Sequence, residues 1–368
     1  MKVLRSSFFH SSPPFIMRLF RQLIGIDVSA KKLAVYFLRQ YDDLSTKCAG
    51  SKSFDNTESG LVKLFAWLDK RTNSALPVQC VMEATGVYHE RAAYGLHDAE
   101  RPVCIVLPNR IKAYAHSLNN YSKTDDIDAE MIACFAAANK LKNWAPPSPH
   151  MRRLRTLTRE RQQIINERTE VKCQRAAYQA SAHPPARTLR RIEVRINFLD
   201  RQVAQIEKEL KELCAADEVL SRGLKVLKSM PGVQLVTACV LMAETDCFAL
   251  FSNRNQLIKY AGLDVVDKQS GTSVKGRSKV SKRGNSHLRA ALFMPAKTVS
   301  KKTGAMRPLF EKQFAKYDNY NKALMPIQRK LLLLAYALFK TDTLYDPNYK
   351  NNNNKMETEQ AALMDCLQ

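Results

Sequence analysis

Leu23-Ile24-Gly25-Ile26-Asp27-Val28 runs through Ser29-Ala30-Lys31-Lys32 into Leu33-Ala34-Val35-Tyr36-Phe37-Leu38. Two aliphatic-rich runs joined by four small or basic residues read as a β-hairpin. One acid, Asp27, interrupts the first run, and a carboxylate there is costly to bury unless it is paired, hydrogen-bonded or metal-bound. Downstream, Val78–Met82 and Val103–Leu107 read as further buried strands, separated by a helical stretch from about Tyr88 to Ala99. A helix is predicted from Asp125 to Asn139. Strands with interleaved helices make residues 18–145 an α/β domain.

The other acids of this region fall into place around Asp27. Glu83 ends an apolar strand, Val81-Met82-Glu83. Asp125 and Asp128 lie three apart at a helix start and share one face, while Asp126 points away toward solvent. Two acids at neighbouring strand ends, facing two from a helix, can converge on Mg2+ or Mn2+, hard cations that prefer oxygen ligands. Two such ions would activate a nucleophile and stabilise the leaving oxygen of a phosphodiester, the logic of a ribonuclease-H-like site. Structural alternatives exist for each acid. The Asp125–Asp128 group also suits a helix dipole, Asp27 a hairpin cap, and Glu83 an ion pair with a nearby Arg or Lys.

The balance of 58 Lys and Arg against 35 Asp and Glu, a net charge of +23 in 368 residues, favours a polyanionic partner. A ribosome-associated protein or a merely solubilising basic surface is the alternative. The nine cysteines include no C-x-x-C pair, which argues against a zinc ribbon, and their odd, scattered count fits a reducing cytosol rather than a disulfide framework. No segment has the roughly 18–20 apolar residues of a membrane span. Leu331–Phe339, bounded by Lys330 and Lys340, reads as a buried helix. Residues 1–17, broken by Ser11, Ser12, Pro13 and Pro14, make a poor secretory signal and are expected to be a disordered extension, with Met17 an alternative start.

Ala145-Pro146-Pro147-Ser148-Pro149 marks a boundary. Beyond it, residues 150–222 are expected to form a helical coiled-coil connector: a helix from Met151 to about Ala180, a break at His183-Pro184-Pro185, then a second helix. Leu189, Ile192, Ile196, Leu199, Val203, Ile206, Leu210 and Leu213 alternate three and four apart, an a/d seam. The seam serves a dimerising coiled coil, an antiparallel hairpin of the same two helices, or both. Residues 223–345 form a third, mainly helical domain, where Met230-Pro231-Gly232-Val233 suggests a helix-hairpin-helix-like turn offering N–H groups to a phosphate. From Lys268 to Arg289, twenty-two residues hold seven cations (Lys268, Lys275, Arg277, Lys279, Lys282, Arg283, Arg289) and no acid. This reads as a flexible, nucleic-acid-binding loop leading into a helix over Leu288–Met294. Residues 346–368, with Asn351–Asn354, are expected to be a disordered tail.

Five ordered motifs resemble the insertion-sequence 110 family of transposases, in its 1111 subgroup, which is related to the Piv DNA invertase. They are Gly25-Ile26-Asp27-Val28-Ser29, Met82-Glu83-Ala84-Thr85-Gly86-Val87-Tyr88, Lys123-Thr124-Asp125 with Ile127-Asp128-Ala129, Pro231-Gly232-Val233, and Gln269-Ser270-Gly271 through Lys282-Arg283-Gly284-Asn285 to Leu288-Arg289. The likeness runs from about Arg21 to Asp346. It implies a RuvC-like N-terminal domain whose metal-binding DEDD tetrad is Asp27, Glu83, Asp125 and Asp128. It also implies a C-terminal transposase domain whose Ser270 is a nucleophile forming a phosphoserine link with DNA. The implied cofactor is Mg2+ or Mn2+, and the implied partners are double-stranded DNA at element ends and target, and a structured guide (bridge) RNA. Homodimers would pair into a tetramer in the bacterial cytoplasm, at the nucleoid, one subunit's serine meeting another's tetrad. Two other functions fit the residues alone: a RuvC-like nuclease that only hydrolyses branched DNA, and a non-catalytic nucleic-acid-binding protein.

Overall fold

Alternating aliphatic and aromatic residues give β1 (Leu19–Val28) and β2 (Lys32–Tyr41), paired antiparallel with Ile24 opposite Phe37 and Asp27 opposite Ala34. Ser29 closes the turn, its hydroxyl accepting from Lys32 N at 3.0 Å. This computed structural model describes residues 17–119, 124–266, 269–270, 274–275 and 279–349. The chain divides into two compact units, residues 1–146 and 147–368.

In the first unit β3 (Thr46–Asp55) pairs antiparallel with β2 as an edge strand. It had no signal in the sequence, because only Phe54 of its ten residues is buried. Helix α1 (Glu58–Asp69), capped by Thr57, returns the chain to β4 (Val78–Glu83), which is parallel to β1. After α2 (Glu90–Asp98), β5 (Val103–Val106) adds parallel to β4, giving the order β3-β2-β1-β4-β5. Then follow α3 (Pro108–Ser117) and α4 (Asp125–Ala138).

Both faces of the sheet are covered, which is why its central strands read as continuous apolar runs. Ile24, Ile26, Cys80 and Met82 face Leu61 and Leu64 of α1 and Ala93 and Leu96 of α2. Leu23, Val81 and Cys104 face Ile132, Ala133 and Ala136 of α4. Gly25 sets the closeness of α4: a Cβ there would lie 2.1 Å from Ala129 O and 2.6 Å from Ala133 N. At the other end of the helix, Gln40 Nε2 donates to Ala137 O at 3.4 Å and Arg21 reaches Ala136 O. The helix therefore runs antiparallel to β1, with its N-terminus at the strand's C-terminal end.

The second unit starts with α5 (Pro149–Gln179) and α6 (Ala186–Ala216), each 31 residues or about 46 Å long. They form an antiparallel hairpin, and the seam from Ile192 to Leu213 is buried within the chain. Of the two uses foreseen for the seam, the structure shows the intramolecular one. Cross-helix ion pairs Arg161–Glu207 (2.7 Å), Arg175–Glu193 (2.6 Å) and Arg168–Asp200 stitch it. Within the expected connector, Met151, Leu154, Ile206 and Leu210 share one core with the helices that follow. These are α7 (Glu218–Lys228), α8 (Leu235–Thr245), α9 (Arg254–Ala261), α10 (Ser286–Val299), α11 (Arg307–Tyr317) and α12 (Tyr320–Thr341). Helix α8 is apolar on nearly every side and forms the middle of that core. Leu331 and Leu332 of α12 are buried, as expected, and no helix among the described residues is long and apolar enough to cross a membrane.

Two sequence expectations change in form here. The Pro231-Gly232 turn between α7 and α8 packs on α10. A Cβ on Gly232 (φ +81°) would lie 3.1 Å from Pro295 Cα and O, so packing accounts for this glycine without a phosphate. Between α9 and α10, the supposed flexible loop holds two short antiparallel ladders. β6 (Val265–Val266) pairs with β9 (Lys279–Val280), and β7 (Gln269–Ser270) pairs with β8 (Val274–Lys275). Residues 1–16 and 350–368, the expected extension and most of the expected tail, lie outside the described residues.

Candidate functional site

In the first unit the parallel register of β1 and β4 ends at Ile26 opposite Met82. Asp27 and Glu83 are the next residues, so they stand side by side on strands about 4.8 Å apart. Strand alternation puts Asp27 with Leu23 and Gly25, and Glu83 with Val81, on the α4 side of the sheet. That is the end to which α4 brings its first turn, where Thr124 caps the helix by accepting from Ile127 N at 3.3 Å. Asp125, itself exposed, and Asp128, half-buried, lie one helical turn before the buried Ala129 and Ile132. Asp126 leads instead to Glu130, whose carboxylate accepts from Tyr36 OH at 3.1 Å, and is itself exposed.

The backbone thus gathers all four acids at one edge. Their side chains stop short of a ligand cage: among the described residues, no three His, Cys, Asp or Glu groups are placed to hold a metal ion. Asp27, Glu83 and Asp128 each engage another group. As a donor set the four suit a hard divalent cation, being all oxygen, with no thiolate or imidazole in the set.

Sequence reasoning missed the supports of this edge. Asn56, 4% exposed, donates from Nδ2 to Ser29 O and to Tyr88 O, each at 3.0 Å. It ties the turn after Asp27 to the loop after Glu83. In that loop Thr85 Oγ1 is buried with no hydrogen-bond partner among the described residues, an arrangement that costs about 1–3 kcal/mol. Burial holds the His89 imidazole below its ordinary pKa, favouring the neutral ring.

In the second unit Ser270 pairs with Val274 at the outermost rung of the ladder, so it sits at the far end of a β arm. The root of that arm is tightly bonded. Lys282 N donates to Gly262 O at 3.1 Å, Asn285 N to Tyr260 O at 2.7 Å, and the Ser281 hydroxyl to Asp264. Asn285 also caps α10 and donates from Nδ2 to Glu244 Oε2 at 2.6 Å. Glu244 is 1% exposed and is held bidentately by Arg159 at 2.8 and 3.0 Å. Burial pushes its carboxyl pKa up, yet hydrogen bonds from Arg159 and Asn285 and the charges of Arg159 and His287 bring it below the usual value.

The predicted basic residues divide. Lys279, Lys282 and Arg283 are exposed on the arm and its root. Arg289 is a structural residue in this fold, its Nη1 donating to Ala261 O at 2.9 Å and to Gly284 O and Asn285 O at 3.2 Å. Lys275 takes part in the ladder opposite Gln269. Lys268 and Arg277 lie outside the described residues, as does Lys123 of the third motif.

Comparison with known proteins identifies the class. A transposase model of the DEDD type matches residues 24–184, and a second, described as transposase of the IS116/IS110/IS902 family, matches residues 224–311. The chain is a transposase, an enzyme of DNA recombination. More narrowly, it belongs to the IS110 family and is related to the pilin gene inverters. The pilin gene-inverting protein of Moraxella bovis is 28% identical over 331 residues, spanning 88% of this chain and 97% of that protein. The transposase of insertion element IS1328 from Yersinia enterocolitica is 23% identical over 301 residues, 73% of this chain and 86% of that protein. A solved structure of T. thermophilus RuvC with a Holliday junction aligns to 33% of this chain and 99% of its own, at 11% identity and a TM-score of 0.26, too weak a likeness to bear on function.

Proposed function

We propose that this transposase exchanges DNA strands through Ser270, with Asp27, Glu83, Asp125 and Asp128 as a ribonuclease-H-like carboxylate site. The supporting observation is the β1–β4 register, which sets Asp27 beside Glu83 at the edge where α4 delivers Asp125 and Asp128. These four carboxylates would hold Mg2+ or Mn2+, which when bound neutralises phosphate charge and lowers the pKa of an attacking hydroxyl. The Ser270 hydroxyl gives up its proton as Oγ bonds to phosphorus, and one P–O bond of the DNA breaks to leave a free DNA hydroxyl. Attack by another DNA hydroxyl reverses the step and restores the serine. The phosphodiester bond energy is conserved, which suits rejoining better than hydrolysis does.

The acid-free arm supplies the electrostatics. Lys279, Lys282 and Arg283 draw a phosphate toward it, while the Glu244–Asn285–Arg159 network holds its root. The active assembly is read as paired dimers, and a structured RNA as the guide to donor and target, both on the strength of the family likeness alone. The test is strand exchange on a supercoiled substrate with Mg2+. Ser270→Ala is expected to abolish the covalent protein–DNA adduct and joining, with binding intact. Full recombination by Asp27→Asn or Glu83→Gln would overturn the carboxylate site, and cleavage without joining by Ser270→Ala would leave a hydrolytic nuclease.

A further inference from the structure

The α5–α6 hairpin has two electrostatic halves. Along its stem, arginines are matched across the helices by Glu207, Asp200 and Glu193. Its tip is unlike that. Residues 176–192 contain Arg187, Arg190 and Arg191 without one acid, a run as free of carboxylates as the Ser270 arm. Arg187, Arg190 and Arg191 are exposed and, among the described residues, form no ion pair with a carboxylate. With Val194 they line an open concavity of about 400 Å³. Nearby, Tyr178 on α5 is 45% exposed.

A solvated helix face normally interleaves acids and bases to gain i,i+4 pairs. Here Arg187 and Arg191 are one turn apart with Arg190 between them, so like charges repel, and among the described residues no carboxylate pairs with them. Arginine also matters as a type, since its planar fork fits phosphate oxygens two at a time. The tip stands about 24 Å of helix from Ile206, where the hairpin enters the core. It is a basic surface at the end of a stiff stalk.

We propose that this tip, centred on Arg187, Arg190 and Arg191, is a further binding surface for the phosphodiester backbone of nucleic acid, in addition to the Ser270 arm. The proposal rests on the reading that this transposase handles nucleic acid directly. The test uses the full-length protein and its Arg187→Gln/Arg190→Gln/Arg191→Gln variant, titrated with labelled random-sequence duplex DNA and, separately, duplex RNA across a range of salt. The slope of log affinity against log salt is expected to fall by about two to three, roughly 0.9 for each phosphate that is no longer neutralised. The corresponding triple lysine variant should restore most of the slope. Thermal melting should match wild type, and if the triple variant is unstable, Arg190→Gln alone should lower the slope by about one. A smaller slope on DNA alone, or on RNA alone, supports the surface and says which strand it grips. Wild-type slopes for the glutamine variants on both would overturn it. A wild-type protein that binds neither would sink this proposal together with the functional reading beneath it.

Discussion

The carboxylate edge of the first unit and the serine arm of the second reach order by opposite routes. Asp27 and Glu83 are placed by main-chain register between two buried parallel strands, and α4 is placed by the absence of a side chain at Gly25. The arm has only short ladders of its own and is placed by side chains at its root: Glu244, Asn285, Arg159 and Arg289. A register built into a sheet tolerates change everywhere except at its crossing points. A polar root is sensitive to each of its members.

Six substitutions at five positions would break or sharpen that contrast. Asp27→Asn or Glu83→Gln should lower strand exchange by about a thousandfold, the effect of losing several kcal/mol of transition-state stabilisation, with melting unchanged; single-turnover rates measure it. Gly25→Val should destabilise the first unit by about 3 kcal/mol or more, because backbone rather than a movable side chain occupies the space; denaturant titration reads it. Glu244→Leu should cost about 2 kcal/mol, less than a fully buried pair because Arg159 is 47% exposed, and Glu244→Gln should cost less. Because the folded pKa of Glu244 is depressed below 4.5, its contribution is present above pH 4.5 and lost as pH falls through the folded value. The stability gap between wild type and Glu244→Gln should accordingly close on acidification, as melting at pH 7 and below pH 4 would show. The smallest effect is expected for Asn56→Ala, about 1–2 kcal/mol for two backbone carbonyls left without their donor, seen as a lower melting temperature.

What could be read from the sequence follows from how burial writes itself into residues. Strands β1, β2, β4 and β5 were legible because apolar neighbours on both sides leave aliphatic runs, and α6 because its seam repeats every three and four residues. Strand β3 was not, since Thr46-Lys47-Cys48-Ala49-Gly50-Ser51-Lys52-Ser53 is an exposed polar edge held by backbone bonds to β2. The acids of the carboxylate edge stood out as charges ending or interrupting apolar runs. Glu244 obeys the same rule within Leu235–Thr245 and went unnoticed, although an acid at the end of an apolar helix carries the same cost. Ser270 had no physical signal at all. Its neighbours are basic and polar, four more serines stand within sixteen residues of it, and only the family likeness singles it out.

The fate of the α6 seam reaches beyond the fold. Since Ile192, Ile196 and Leu199 meet α5 of their own chain, each molecule leaves folding with its stalk already zipped. Prising the two helices apart would strip these apolar side chains of their cover, so the stalk holds its shape only while both strands of the zip stay together.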